Sequence, residues 1–249
     1  SILRAMQMQL ENKSYGNHVR RIRGTIMLAL IATLCGCGRQ DDPRSEWIRV
    51  ASQAIKQRDA KRLSIAILGK GTVDAKTQEG DTLLALALDQ GDPKIVRAVL
   101  NAGASPNIRL NRGFPPLSWA ANNSDVESCR LLMEAGAFIE AQDPETGWTA
   151  LHTAANRGSL DISKLLLNAG ANPNPRSHQR ITPLMLAAFK GHLDVVQFLL
   201  DRGADPNLKS DKGRTAYDAA IDASKLELRA NELDRVRRLQ KILKSNMRK

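Results

Sequence analysis

Between Thr182 and Leu200 the apolar positions recur at helical spacing. Leu184, Ala187 and Ala188 fall three and four residues apart, on one face of a helix. Val195, Val196, Leu199 and Leu200 mark a second buried stripe one helix later. Thr182 followed by Pro183 is a capping residue ahead of a first-turn proline, which starts a helix. Gly191 ends it, because glycine adopts the left-handed cap conformation cheaply, and Gly203 ends the next. "ADPN" then makes a turn. Pro93 and Pro183 stand at predicted helix starts, while Pro106, Pro144, Pro173, Pro175 and Pro206 fall in predicted loops. Local signals and pattern agree, as they do in a foldable sequence.

The same pattern returns along the chain. "GDTLLALAL", "GFPPLSWAA", "GWTALHTAA", "RITPLMLAA" and "GRTAYDAAI" start 33, 34, 33 and 33 residues apart. A second series runs in phase: "GDPKIVRAVLNAGASPN", "SDVESCRLLMEAGAFIE", "GSLDISKLLLNAGANPN" and "GHLDVVQFLLDRGADPN". Two series in register mark a stacked repeat architecture.

These segments resemble the ankyrin repeat family, with its T-P-L-H-x-A-A stretch and G-A-x-x-N turn. Thr149-Ala150-Leu151-His152 with Ala154-Ala155 matches best, and Met185 stands in the histidine's place after Thr182-Pro183-Leu184. The resemblance covers about residues 47–222. It implies an all-α solenoid of about six helix-turn-helix units with short hairpin loops, in units near 47–79, 80–112, 113–146, 147–179, 180–212 and 213–222. The segment from Trp47 reads as an N-terminal capping repeat, and Asp218 replaces the histidine at the other end. Polar, degenerate terminal repeats are what a solenoid requires. Residues 223–249 read as a basic C-terminal capping helix, with Leu226, Ala230, Leu233, Val236 and Leu243 along one face.

Composition adds two points. Aromatics are 4% of the chain, so alanine and leucine fill the core, which suits close-packed helices. The net charge of +11 sits mostly at the ends: +3 in 1–46, +6 in 223–249 and only +2 between them. A basic stripe along the body, the footprint of a nucleic-acid binder, is not visible. Three cysteines make no disulfide framework.

Two of those cysteines lie in "TIMLALIATLCGCGRQDDP". Cys35-x-Cys37 lacks the further ligands of a zinc site and the two-residue spacer of a thioredoxin-like site. Arg20, Arg21 and Arg23 precede a ten-residue apolar run, 25–34, about half of what spans a bilayer. Leu34, Gly36 and Cys37 then resemble the lipobox of bacterial lipoproteins. That resemblance implies a signal segment over 1–37, acylation of Cys37 and a lipid anchor in the bilayer of a bacterial envelope. The repeats would then lie in the periplasm, with Gly38 favouring the outer membrane. Residues 38–46 read as a polar tether without helical pattern. The alternative is a cytosolic repeat protein with a mis-assigned N-terminal extension.

No catalytic motif, metal-ligand cluster or cofactor loop is visible. His152 and His192 match structural histidines of the family, His18 lies in the signal and His178 in a loop. Cys129 stands where other repeats have Ser163 or Val196, a packed small residue. The expected activity is therefore binding, with no enzyme, cofactor or metal. The family implies a protein partner along the hairpin tips and the concave face of the first helices. At those places stand Phe114, Trp148, Phe189, Arg112, Asn122, Asn123, Arg157 and Lys190. Exposed aromatics with polar neighbours are typical interface anchors. The competing reading is that each ring lies against its own repeat. The rival function is an adaptor for anionic membrane or nucleic acid, acting through Arg235, Arg237, Arg238, Lys241 and Lys244.

Overall fold

The computed structural model describes residues 43–67, 73–110, 113–224 and 230–247. They form one compact unit of twelve helices, with a lone antiparallel bridge between Lys76 and Thr82. The helices pair into six repeats: α1 (Pro43–Lys56) with α2 (Ala60–Ile67), and α3 (Leu83–Gln90) with α4 (Pro93–Asn101). Next come α5 (Pro116–Asn122) with α6 (Val126–Glu134), and α7 (Ala150–Arg157) with α8 (Leu160–Asn168). Then follow α9 (Pro183–Lys190) with α10 (Leu193–Asp201), and α11 (Ala216–Ser224) with α12 (Ala230–Asn246).

Two layers result. Each odd-numbered helix packs on the next odd-numbered one, from α1 to α11. The even-numbered helices stack likewise, and α12 packs on both α10 and α11. The C-terminal helix is therefore the second helix of the sixth pair. Among its described side chains Leu239 and Leu243 are buried. Of the apolar face expected there, Leu243 is buried, while the side chains of Leu226, Ala230, Leu233 and Val236 lie outside the described set.

One boundary needs correcting. The stretch 38–46 reads as a tether, yet α1 begins at Pro43. Proline suits a first helical turn because its missing N–H costs nothing there. Glu46 in that turn binds Arg49 at 2.7 Å, one turn on.

Alanines 87, 120, 121, 154, 155, 187 and 188 are buried to within 1% and let the first helices approach closely. Leu83, Leu117, Leu151, Leu184, Ile162 and Leu199 fill the space between layers. Each such side chain contributes about 1.5–3 kcal/mol by leaving water.

Polar ladders join the repeats. Asn107 donates to Gly136 O at 3.0 Å and accepts from Phe138 N at 2.7 Å. Asn174, two repeats on, does the same with Gly203 and Asp205. Between them Glu140 accepts from Asn172 N at 2.8 Å. The tips are tied too: Arg109 donates to Gln142 O, Gln142 to Arg176 O and Arg176 to Lys209 O. Such bonds contribute about 1 kcal/mol each and set the register between loops.

Candidate protein-binding surface

The start of each first helix decides what its outward side offers. In repeat 4 His152 is fully buried, and its Nδ1 accepts from Thr149 N at 3.1 Å. Nε2 therefore carries the proton and donates to Ile181 O, in the next repeat, at 2.9 Å. Burial lowers the pKa of this imidazole to about 4. In repeat 6 Asp218 takes the same place and caps Thr215, accepting from its N and Oγ1 at 2.8 Å. Those donors hold the Asp218 carboxyl below the usual carboxylate range. In repeat 2 Ala85 and in repeat 5 Met185 fill the place with apolar atoms, and Thr82 and Thr182 cap their backbone N–H groups.

Repeat 3 differs. Its cap position is Pro115, which makes no side-chain bond, and Ser118 stands in the histidine's place. Ser118 Oγ is buried without a partner. The outward side of this helix carries Trp119, whose indole N–H donates to Asp89 on α3 at 2.8 Å. Phe114 at the hairpin tip meets Trp119 edge-on, with ring centroids 5.9 Å apart. Burial raises the Asp89 pKa, the Trp119 bond offsets part of this, and Asp81 adds to the rise.

The expected contact residues are distributed as follows. Phe114 and Trp148 are half-buried against their own repeats, and Trp148 stacks on His152 with centroids 6.4 Å apart. Phe189 is 39% exposed, and Lys190 Nζ lies 5.8 Å from its ring centre. Arg157 reaches across one repeat and forks onto Asn122 Oδ1 with Nε at 3.1 Å and an Nη at 2.9 Å. Asn123 is exposed at the end of α5. Arg112 and Cys37 lie outside the described residues. Trp119 and Asp89 join this surface as additional members. The pattern held a signal for Trp119: the equivalent outward places carry Leu86, Thr153, Leu186 and Ala219.

On the opposite layer, Arg237, Arg238, Lys241 and Lys244 of α12 are exposed, and Arg238 pairs with Asp234 at 2.8 Å. Arg235 lies on the same helix, with its side chain outside the described set. Cys129 is fully buried and its thiol is pushed up to about 12, so it carries no thiolate at neutral pH. Among the described residues no group of three or more His, Cys, Asp or Glu could hold a metal, and no helix is long and apolar enough to cross a membrane.

Six stacked helix pairs joined by hairpin loops define a repeat scaffold. The family model for ankyrin repeats (three copies) matches residues 51–143 and 138–210, and the chain belongs to this family. Ankyrin repeats are protein-interaction modules. Ankyrin repeat and SOCS box protein 3 of Bos taurus is 39% identical over 104 residues, 41% of this chain and 20% of that protein. Tyrosine-protein kinase Shark of Drosophila melanogaster is 36% identical over 109 residues, 44% of this chain and 12% of that protein. A putative ankyrin repeat-containing protein of Treponema pallidum (strain Nichols) is 29% identical over 148 residues, 59% of this chain and 48% of that protein. The chain thus spans less than half the length of each of these relatives.

Proposed function

We propose that this chain binds a protein partner across the hairpin tips and first helices of repeats 3 to 5. The observation that carries the reading is the placing of Phe114, Trp119, Trp148 and Phe189 on three successive repeats, each at a hairpin tip or on a first helix, in a chain with 4% aromatics. Large rings with polar neighbours are the usual energetic centre of an interface. Repeat 3 supports it from another side. That repeat gives up its threonine cap and strands a buried hydroxyl where it displays two rings. Local rules are broken chiefly where function requires it.

The test is site-specific photo-crosslinking in the native host, with benzoylphenylalanine at Phe114, at Phe189 and at Lys164 on the other layer. Discrete adducts at the first two sites and none at the third are the expected result. Adducts only at Lys164 would place the contact on the second helices and overturn the reading.

The proposal includes an anchor. Leu34, Gly36 and Cys37 support acylation of Cys37, which would hold the array at a bacterial envelope membrane, facing the periplasm. A spirochaete protein among the relatives supports a bacterial setting for such arrays. Palmitate labelling tests this: the wild type takes up label and Cys37→Ser does not. Equal absence of label in both would remove the anchor and leave the binding surface untouched.

A further inference from the structure

The last residues of the first helices form a row whose charge changes along the array. From repeat 2 to repeat 5 it reads Asp89 and Gln90, Asn122 and Asn123, Asn156 and Arg157, Phe189 and Lys190. At the acidic end Asp89 takes one neutral donor, the Trp119 indole, and its charged influence is another carboxyl, Asp81. A cation placed there would offset both the partial desolvation of the carboxylate and the like charge. Lys56 holds the equivalent place in repeat 1 and its charge acts on Glu79, while the Arg58 guanidinium of repeat 1 donates to Gln90 O at 3.3 Å and leaves the Asp89 carboxylate to the indole.

At the other end the cations are held by neutral groups. The Arg157 guanidinium rests on the amide oxygen of Asn122, and the Lys190 ammonium lies over the Phe189 ring. An incoming carboxylate makes a stronger, charge-assisted bond than an amide oxygen does. The Phe114–Trp119 pair of repeat 3 lies beside Asp89, joined to it by the indole bond, and Trp148 stands at the tip of repeat 4.

This deepens the proposed function and rests on it. We propose that the partner presents a dipolar segment: a cationic side chain at Asp89, an apolar middle on Phe114 and Trp119, and an anionic side chain at Arg157 and Lys190. Packed helices lie about 9 Å apart, so Lys190 stands three steps, roughly 27 Å, from Asp89, and Arg157 stands two, roughly 18 Å, with its guanidinium reaching back to Asn122. An extended chain crosses these distances in about five to eight residues.

The test is a display selection of random 20-residue peptides on the full chain. It is repeated on a charge-exchanged variant carrying Asp89→Lys, Arg157→Glu and Lys190→Glu. All three positions are exposed, and circular dichroism checks that the variant keeps its helices. The expected wild-type winners carry a basic and an acidic residue about five to eight apart around apolar residues. They lose at least tenfold in affinity on the exchanged variant, which selects peptides with the two charges interchanged. Winners that bind both proteins within twofold would overturn the dipolar segment while keeping the surface, provided Phe114→Ala with Trp119→Ala abolishes their binding. Winners indifferent to that aromatic pair, or no winners at all, would overturn the segment and count against the surface.

Discussion

At the start of α7 in repeat 4, Thr149 and His152 bind one another, and His152 reaches on to Ile181 of repeat 5. At the start of α5 in repeat 3, the same two places hold Pro115 and Ser118, and the serine hydroxyl has no partner. The ends of these helices differ as well. Gly158 closes α7 with φ +72°, while Ser124 takes the equivalent left-handed turn after α5 with φ +57°. Serine is tolerated there because the next repeat presents Ser159, whose hydroxyl lies 3.1 Å from that of Ser124. At Gly158 the next repeat presents His192, and an added Cβ would meet its Nδ1 at 2.5 Å. Repeat 4 is therefore built for stability at each of these places and repeat 3 is not. What repeat 3 has in exchange is the Phe114–Trp119 pair on its outward side.

The largest effects break the comparison at repeat 4. Gly158→Ser combines left-handed strain of about 1–2 kcal/mol with overpacking of about 1–3 against His192, so a loss of roughly 3 kcal/mol is expected in urea unfolding. The reverse exchange, Ser124→Gly, should change stability by less than about 1 kcal/mol, since it removes strain but adds chain entropy and loses a surface bond. Equal effects of the two would show that the repeats do not differ here.

His152→Met copies repeat 5, where Met185 fills the place without a polar contact. It should cost about 2 kcal/mol at pH 7, because the buried Thr149 N–H loses its acceptor. The same variant tests pH dependence. In the folded chain His152 stays neutral down to about 4, against 6.5 when exposed. Between those values the unfolded state takes up a proton that the folded state refuses. Stability is then full above pH 6.5, falls as pH drops towards 4, and changes no further from this group below it. The drop is on the order of 3 kcal/mol for a group this buried. Unfolding of the wild type across pH 7 to 4 should show it, and His152→Met should flatten it. A wild-type curve already flat in that window would mean the imidazole is not held neutral.

Ser118→Ala asks the opposite question in repeat 3. Removing an unpartnered buried hydroxyl costs no bond and removes a desolvation penalty, so a gain of about 0.5–1 kcal/mol is expected. Ser163, whose hydroxyl donates to Ser159 O at 2.9 Å, is the control, and Ser163→Ala should lose about 1 kcal/mol. A loss at both positions would mean that Ser118 has found a partner.

Much of this architecture is readable from period and punctuation. A 33-residue repeat, Thr182 before Pro183 and Gly191 after Lys190 each predict the element that stands there, because caps and stacked alanines act locally. The family's Asn turn is readable at Asn107 and Asn174, yet Glu140 makes one of the same bridging bonds with a longer carboxyl. Pattern alone does not say how far a side chain reaches. Nor does it say which way a ring leans. Phe114 and Trp148 stand at tip positions that read as open, but each finds a neighbour, Trp119 or His152, within its own repeat. Trp119 stands out in the pattern, since its place holds ordinary helix fillers in the other repeats, but the pattern does not say what it touches. Its importance comes from Asp89, thirty residues earlier, which only stacking brings within a hydrogen bond.

That bond gives the smallest and most specific effect. Trp119→Phe keeps an aromatic ring against Phe114 and removes the single N–H that faces Asp89. The bond lies on a surface open to water, so its loss should cost no more than about 0.5 kcal/mol. The carboxyl should respond more clearly than the fold. Burial and Asp81 already raise its pKa, and the indole is what opposes them. Without it the Asp89 titration, followed by carboxyl NMR, should move further upward while the unfolding midpoint stays nearly fixed. An unmoved titration would mean that water replaces the indole at no cost, and that the link between repeats 2 and 3 is packing alone. A displaced one would show that Trp119 tunes the acidic end of the row. The aromatic pair would then be part of the recognition surface's electrostatics as well as its apolar area.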